Sequence, residues 1–293
     1  MRPAKPGFVT PRVADAARPP ASPDNPTTPL QLKAGHINMG VQERGRISFS
    51  TVIAPVGVFP HTNLMNAPRP FTYDPPTEPW LTVLHEDDDI LVLSKPSGLL
   101  TVPGKEAHLA DCLEARAVKR WGVARIVHRL DKDTSGVMVL GRHDKAQRHL
   151  GKQFQSRRVE KTYIARVAGH VNGDSGEVDL PIATDPERRP MQMIDHENGR
   201  AAITRWEVIA RETLEREEGA MPVTRLRLTP ITGRSHQLRL HLAFLGHPIL
   251  GDAFYSDDDI FAAAPRLQLH AETLVLRHPN GGARVSFTDP TPF

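Results

Sequence analysis

The sequence predicts an α+β fold, and three observations lead to that class. Short segments rich in Val, Ile and Leu, bounded by Gly, Pro and Asp, are typical of strands and outnumber the helical segments. The helical segments are interspersed irregularly, so strands and helices do not alternate as they would in a chain of βαβ units. Apolar residues make up 39% of the 293 residues, which is enough for a sizeable core.

The predicted elements begin near Trp80 and continue almost to the C-terminus. Ser235 can cap a helix that runs to Leu245, and Gly246 is a typical residue to end it. The remaining helices are predicted at 109–121 and 143–156. The strands are predicted at 80–84, 90–94, 125–130, 137–141, 163–167, 202–209, 224–230 and 267–276.

The N-terminal region differs from the rest of the chain, because 15 of the 27 prolines lie before residue 81. Proline has no N–H donor and a fixed φ, so this composition opposes helices and central strands. We therefore expect residues 1–74 to be a disordered extension and residues 75–293 to form the catalytic domain. Met65 lies just ahead of that domain, and we interpret it as an alternative start of translation.

Charge and cysteine content limit the functional classes. Residues 1–64 hold seven basic and three acidic side chains, while the remainder holds 30 and 31, so overall charge does not identify a partner. The single cysteine, Cys112, excludes an intramolecular disulfide and suits a reducing compartment. No apolar stretch approaches the roughly 18–20 residues of a membrane span, and no signal-peptide pattern is present. We expect a cytoplasmic protein that does not enter the membrane.

The most informative segment is 127–136, which reads Val-His-Arg-Leu-Asp-Lys-Asp-Thr-Ser-Gly. It lies between two apolar strands and carries Asp131 at the tip of a polar elbow, with His128 and Arg129 beside it. A carboxylate at the end of a strand is well placed for chemistry, although Asp, Ser, Thr and Gly are also ordinary turn residues. We interpret Asp133 as such a turn residue.

This segment resembles the catalytic motif of the RluA-type pseudouridine synthases. Further blocks resemble that family in the family's own order and cover about residues 75–293; details at 75–81 and 179–181 are most similar to its dual-specificity tRNA and 23S rRNA subgroup. The blocks are Lys-Pro-Ser-Gly-Leu at 95–99, Lys-Thr-Tyr-Ile-Ala at 161–165, Gly-Arg-Ser-His-Gln-Leu-Arg at 233–239, Gly-His-Pro-Ile-Leu-Gly-Asp at 246–252 and Leu-His-Ala-Glu at 269–272.

The resemblance implies a pseudouridine-synthase fold, with a central, mostly antiparallel mixed sheet, flanking helices and an active-site cleft. It implies that Asp131 acts on the glycosidic bond of a flipped-out uridine and that Arg234 forms an ion pair with it. Tyr163 would pack on the base and help to remove the C5 proton. Leu238 would line the pocket, and Arg129 would fill the gap that the base leaves; we expect His128 to contact the substrate as well.

One carboxylate fits this chemistry better than two. A glycosidase uses a pair of carboxylates because water must be activated and the leaving group protonated. An isomerase must keep water away from the sugar, which otherwise gives an abasic site. A lone carboxylate in an apolar-flanked elbow therefore favours isomerisation of uridine to pseudouridine, without a metal or other cofactor.

RNA contacts are expected from local charge, since residues 142–161 carry a net charge of +5. A helix places Lys145, Arg148 and Lys152 on one face, with Arg142 just before it, and such a face can contact phosphates. We expect the RNA substrate to be the anticodon stem-loop of tRNA, or 23S rRNA, or both. We expect the protein itself to be a monomer.

Two other functions remain open from the residues. Asp131-Lys132-Asp133-Thr134 superficially resembles the start of aspartyl-nucleophile phosphatases, which would require magnesium. The basic segment alone would suit a non-catalytic RNA-binding module or chaperone. A metal site is not expected from His236, His241 and His247, because their spacing disperses them.

Overall fold

The computed structural model describes Arg69 and residues 72–293. The predicted extension at 1–74 therefore lies outside the described residues except for Arg69 and 72–74, and so does the interpretation of Met65. Arg69 and Tyr73 precede the predicted boundary at residue 75 and both contact the domain: Arg69 pairs with Asp258, and the Tyr73 hydroxyl donates to the Asp111 carbonyl. Within the described part no helix is long and apolar enough to cross a bilayer.

The described residues form twelve strands, four α-helices and a short 3-10 helix at Ala107–Leu109. The strands are β1 Thr82–Glu86, β2 Ile90–Lys95, β3 Arg125–Ile126, β4 Ser135–Gly141, β5 Glu160–Ala168, β6 Ser175–Asp179, β7 Ile182–Thr184, β8 Gln192–Ile194, β9 Ile203–Leu214, β10 Met221–Pro230, β11 Leu269–Arg277 and β12 Arg284–Thr288. The helices are α1 Leu113–Trp121, α2 Asp144–Gln155, α3 Gln237–Phe244 and α4 Asp258–Ala262.

Ten strands form one mixed sheet in the order β1-β2-β4-β11-β5-β10-β9-β6, with β3 paired to β4 and β12 paired to β11; β7 and β8 form a separate hairpin. Within the described chain, the pairing of β4 with β11 is parallel and the other sheet pairings are antiparallel. The predicted α+β class, with a central and mostly antiparallel mixed sheet, is therefore confirmed.

The core lies on both faces of the sheet, because β2 and β4 are buried on both sides. Such strands read as continuous apolar runs, which explains why they could be predicted. Tyr163 on β5 packs against two core clusters, one built around β2, β4 and α1 and the other around β10 and α3. The side chain of Tyr163 thus marks the point where the two halves of the sheet meet.

Several predicted elements need correction. The strand predicted at 125–130 ends at Ile126, because side-chain contacts replace the strand pairing beyond it: the Val139 N–H donates to His128 Nε2. The helix predicted from residue 109 begins at Leu113, and the buried Cys112 just before it is its N-cap. The prediction that Ser235 caps α3 is wrong, since His236 occupies that position without a side-chain cap. Four short strands, β6, β7, β8 and β12, were not predicted.

Gly136 explains why the elbow motif ends in Ser-Gly. Its φ of +117° lies in a region that favours glycine, and an added Cβ would collide with the carbonyl of Ala271. Gly136 and Ala271 are partners in the parallel pairing of β4 with β11. The absence of a side chain at this position therefore lets β11 approach the strand that carries the elbow.

Candidate active site

A cavity of about 900 Å³ lies where the elbow, β5 and the start of α3 meet. Asp131 lines it, together with Tyr163 and Leu238, as the sequence predicted for a common site. The volume is large enough for a nucleotide, since ligand pockets commonly measure about 300–1,000 Å³. Its remaining principal walls are His128, Arg129, Leu130, Arg157, Lys161, Arg200, Arg234, His236, Arg239 and Leu269.

The elbow is held from behind by the segment that follows β2. Thr101 donates its hydroxyl to the Leu130 carbonyl at 2.8 Å and accepts from the Leu130 N–H at 3.2 Å. The Gly98 N–H donates to the Lys132 carbonyl at 2.9 Å. The backbone on both sides of Asp131 is thereby fixed, which is the preorganisation that a reacting carboxylate needs.

Lys95 adds a buried charge to this support. Its ammonium donates to the carbonyls of Pro96, Leu99 and Lys132, at 2.9, 2.6 and 2.8 Å. Three acceptors match the three donors of the protonated form. Burial lowers the pKa of Lys95 to about 7, while the nearby carboxylates Asp133 and Asp131 favour the charged form. The Lys95 side chain therefore connects the 95–99 block directly to the elbow.

The cation beside Asp131 is Arg239, which corrects the predicted ion pair with Arg234. Nη1 of Arg239 lies 3.6 Å from Oδ2 of Asp131. Arg234 instead donates Nε to the Ala201 carbonyl at 3.2 Å and has no described carboxylate partner. The physical reason is the start of α3: Arg234 belongs to the turn before the helix, whereas Arg239 lies within the helix and points into the protein.

Arg239 is fixed by a second carboxylate. Its Nε and Nη2 donate to Asp252 at 2.7 and 2.6 Å, and both side chains are almost completely buried. Burial alone opposes the charged form of Arg239, but the charge of Asp252 outweighs it and raises the pKa. Bidentate pairing of this kind fixes orientation as well as charge. Arg239 consequently reaches Asp131 as a permanent and immobile cation.

Tyr163 and Leu238 form the apolar part of the cavity wall. Burial raises the pKa of Tyr163, and the charge of Asp131 raises it further, so the phenol remains protonated at neutral pH. Leu238 is 7% exposed and packs in the same core cluster as Tyr163 does. An aromatic ring and an aliphatic side chain beside a carboxylate can hold a flat base and exclude water.

His128 has a structural function in addition to lining the cavity. Its Nε2 accepts from the Val139 N–H at 3.1 Å, and its ring stacks on Phe154 with centroids 4.4 Å apart. Burial, and then the charge of Lys161, lowers the pKa of His128 to about 3. The predicted substrate contact of His128 is untested, but its accepting nitrogen is already occupied by the backbone.

The low pKa of His128 predicts a loss of stability in acid. The unfolded chain binds a proton at this side chain near pH 6.5 and the folded chain only near pH 3, so the free energy of unfolding falls as the pH falls through that range. The limit is about 1.4 kcal/mol per pH unit. Denaturant titrations of wild type and His128→Gln at pH 4–7 should show a shallower pH dependence in the variant. Equal slopes would contradict this assignment, because the other histidines are common to both proteins.

Four arginines surround the mouth of the cavity: Arg129, Arg157, Arg200 and Arg234. No salt bridge to a described carboxylate is present at any of them. Burial, and then the charges of Arg200 and Arg157, lowers the pKa of Arg234. We call this group the arginine rim. Three of its members, Arg129, Arg200 and Arg234, also line an adjoining polar cavity of about 460 Å³ beside β7 and β8.

The predicted basic face of α2 lies elsewhere. Lys145, Arg148 and Lys152 are exposed, but neither they nor Arg142 line the cavity. Arg142 contacts Glu86 at 3.3 Å and is therefore partly neutralised. Contact of this face with RNA stays a prediction. Its position indicates that the rim, and not α2, is the charged surface nearest to Asp131.

One group of acidic and histidine side chains in the described residues is close enough together to hold a metal ion, and it lies outside the cavity. Oxygen or nitrogen atoms of Asp87, Asp89 and His278 lie within 4.8 Å of one another, at the turns after β1 and β11. Asp87 already accepts from His85 and His278, at 2.7 and 3.0 Å. None of these residues borders Asp131. The carboxylate of the cavity is accompanied by cations, which does not suit the magnesium-dependent phosphatase alternative.

The residues missed by the sequence analysis are Arg239, Asp252, His236 and the rim arginine Arg200, whereas Arg157 belongs to the basic segment 142–161 from which RNA contacts were predicted. One signal was available for the first two. The α3 sequence Gln-Leu-Arg-Leu-His-Leu is apolar on most sides, so its arginine had to be buried and required a carboxylate. The family-like blocks contained both partners, but their spacing of 13 residues did not show that they meet.

This site and this fold define a class of protein: a single-carboxylate enzyme with a nucleotide-sized cavity and a cationic rim, built on a large mixed sheet. Residues 89–244 match the sequence profile of RNA pseudouridylate synthases. The chain is 46% identical over 222 residues to the dual-specificity RNA pseudouridine synthase RluA of Pasteurella multocida, covering 76% of this chain and 98% of the relative. It is 47% identical over 221 residues to the protein of the same name from Escherichia coli K12, covering 75% and 98%.

A solved structure supports the same assignment. Human RNA Pseudouridylate Synthase Domain Containing 1 superimposes with a TM-score of 0.62 at 28% identity, over 76% of this chain and 86% of that one. The chain belongs to the RNA pseudouridine synthase family. It is an isomerase that converts uridine to pseudouridine in RNA. This assignment rules out the two alternative functions considered from the sequence, the phosphatase and the non-catalytic RNA-binding module.

Proposed function

We propose that this enzyme isomerises particular loop uridines in two kinds of RNA, the anticodon stem-loop of tRNA and 23S rRNA. The observation that carries the proposal is the similarity to relatives named as dual-specificity enzymes, at 46–48% identity over 82–98% of their length. The cavity supports it, because one carboxylate faces a nucleotide-sized space. The four arginines of the rim can contact phosphates of RNA backbones that differ in structure. We also propose that the enzyme is a cytoplasmic monomer.

The chemistry assigned to Asp131 is rearrangement at a flipped-out uridine. The N1–C1′ bond breaks, the freed uracil turns, and C5 bonds to C1′. The proton on C5 is lost and N1 gains one, so the product has the same composition as uridine. Asp131 assists the breaking of the first bond, either by adding to the nucleotide or by promoting elimination at the sugar. Tyr163 packs on the uracil and contributes to removal of the C5 proton.

The target base must leave the stack before Asp131 can reach it. Flipping costs a few kcal/mol, which contacts elsewhere must offset. Arg129 is exposed beside Asp131 and lines both cavities, so it is placed to occupy the space the uridine vacates. Leu238 and Tyr163 then enclose the base from the apolar side. This arrangement keeps water from the reacting sugar, which an isomerase requires.

The arginine rim is the proposed phosphate-binding surface, and salt dependence tests it. Each phosphate contact to single-stranded RNA contributes about 0.7 to the slope of log K against log salt concentration. That slope is negative, and the double variant Arg157→Met/Arg200→Met should make it shallower by about 1.4. Anisotropy titrations of a labelled stem-loop measure it, with Asp131→Asn, which we expect to be inactive, as the common background.

A matched control comes from the basic face of α2. Lys145→Met/Arg148→Met removes the same charge from exposed positions outside the cavity. We expect its slope to remain that of the parent protein. A reduced slope in the α2 variant with an unchanged slope in the rim variant would instead support the contact predicted from sequence.

The substrate is tested by tritium release. Unmodified tRNA and 23S rRNA fragments carrying 5-³H-uridine are incubated with the enzyme in EDTA, and modified positions are mapped afterwards. Release from both RNAs supports dual specificity without a metal. Release from one alone restricts the proposal to that RNA, and release from neither would overturn it.

A further inference from the structure

His236 lies beside Asp131 and is held there by a hydrogen bond to Tyr255. Its Nε2 is 4.0 Å from Oδ2 of Asp131, and its Nδ1 is 2.8 Å from the Tyr255 hydroxyl. Arg239 approaches the same carboxylate oxygen, at 3.6 Å. Two nitrogens therefore converge on Oδ2 of Asp131, while no described group pairs with Oδ1.

The hydrogen bonds of Tyr255 determine which nitrogen of His236 carries the proton. The Gln192 N–H donates to the Tyr255 hydroxyl oxygen at 2.8 Å, so that oxygen already acts as an acceptor. The hydroxyl proton needs an acceptor of its own, and Nδ1 of His236 is the one the described residues provide. With Nδ1 accepting, the proton of a neutral imidazole sits on Nε2, the atom that faces Asp131.

The backbone at His236 indicates that this orientation is maintained at some cost. Its φ is 53°, a left-handed conformation that is uncommon for residues other than glycine. The ring is also stacked on Phe254, with centroids 5.4 Å apart. Phe254 and Tyr255 are in turn fixed through their N–H groups, which donate to Asp252 at 2.8 and 3.1 Å.

We propose that His236 is a positioning residue for the catalytic carboxylate. Its neutral imidazole, held as the Nε2–H tautomer by Tyr255, donates to Oδ2 of Asp131 once substrate closes the site. Together with Arg239 it secures that oxygen and leaves Oδ1 for the nucleotide. Catalytic hydrogen bonds are often long before substrate binds, so the 4.0 Å separation is compatible with this function.

The charges around His236 support a neutral ring. Burial, and then the cation Arg239, lowers its pKa, while Asp131, Asp252 and Asp133 act in the opposite direction. The net shift is downward, so the imidazole is neutral at neutral pH. Burial also raises the pKa of Tyr255, which therefore keeps the proton that it donates to Nδ1.

Two substitutions separate donation from packing. In His236→Gln the side-chain amide reaches the place of Nε2 and keeps a donor for Asp131, whereas in His236→Asn the amide reaches only the place of Nδ1. Asn tolerates the left-handed conformation better than Gln does. A purely structural function therefore predicts that Asn is at least as good as Gln. The donor function predicts the reverse.

The measurement is single-turnover pseudouridine formation at saturating RNA, which removes differences in affinity. We expect the rate of His236→Asn to be about 10- to 100-fold below that of His236→Gln, the usual size for a hydrogen bond to a charged group. Equal rates, or a faster Asn variant, would overturn the proposal. Unfolding midpoints of both variants identify any loss that is due to folding.

Tyr255→Phe tests the tautomer without any activity readout. This variant keeps the ring that packs edge-on against His236 but lacks the hydroxyl. Nitrogen-15 NMR of histidine-labelled protein distinguishes the two tautomers, and the His236 signals are assigned by their absence in His236→Gln. We expect a single Nε2–H form in the wild type and a mixture in Tyr255→Phe. An Nδ1–H form in the wild type would contradict the proposal.

The inference rests on the proposed function for its kinetic part, and the two can fail separately. If the wild-type enzyme converts none of the tested RNAs, the proposed substrates are wrong. The NMR experiment still tests the tautomer of His236, because it does not depend on activity. If wild type is active and the Gln and Asn variants are equal, only the positioning function of His236 is wrong.

Discussion

Asp131→Asn is expected to abolish pseudouridine formation, with a loss of about 10⁴-fold or more in the single-turnover rate, because a neutral amide cannot replace the reacting carboxylate. The substitution preserves shape and hydrogen-bonding size, so the folded structure should persist. Tritium release from 5-³H-uridine RNA measures the reaction, and RNA binding by the same protein shows that the site is still formed.

Asp133→Asn is the matched control for this experiment. Asp133 lies two positions further along the same elbow, contacts Lys132 at 3.4 Å and does not line the cavity. We expect this variant to retain most of the wild-type rate. Retained activity in Asp131→Asn, or equal losses in both variants, would show that the chemistry is not specific to Asp131.

Arg239→Met is expected to remove both activity and a large part of the stability. Asp252 is completely buried and would be left without its cation, and breaking a buried pair in this way costs about 3–5 kcal/mol. Asp131 would lose the same cation. Denaturant unfolding measures the first effect, and tritium release measures the second at a temperature where the variant remains folded.

Two comparisons give this prediction its specificity. Arg239→Met/Asp252→Leu removes the unpaired charge and should recover part of the lost stability but none of the activity. Arg234→Met should change the free energy of unfolding by no more than about 0.5 kcal/mol, because that side chain is only partly buried and has no described carboxylate partner. Arg234→Met should instead weaken the binding of RNA. A larger loss of stability in Arg234→Met than in Arg239→Met would reverse our correction of the ion pair.

The fold class and the central strands could be predicted because their signals are local. β2 and β4 are buried on both faces and therefore appear as unbroken apolar runs in the sequence. The strands β7 and β8 could not be predicted, since each has three residues of mixed polarity and depends on pairing with the other. Their signal arises only from tertiary contacts.

In the candidate site, too, some residues have a local sequence signal and others depend on tertiary contacts. Asp131, Tyr163 and Leu238 belong to recognisable segments, and the structure brings them to one cavity. The cation for Asp131 was assigned wrongly because the choice between Arg234 and Arg239 depends on where α3 begins. That helix starts after a left-handed residue, His236, which no local pattern indicated. Asp252 becomes relevant only when packing brings its loop against α3.

The parallel pairing of β4 with β11 has a consequence for synthesis on the ribosome. The strand that follows the elbow pairs at Gly136 with Ala271, and Ser135 bonds to His270 across 135 positions of sequence. A nascent chain therefore lacks this neighbour until residues 270 and 271 have emerged. Contacts so distant along the chain form slowly, because a long loop must close first. The enzyme should consequently acquire its reactive centre only after β11 has been synthesised, so shorter nascent chains should lack pseudouridine-forming activity.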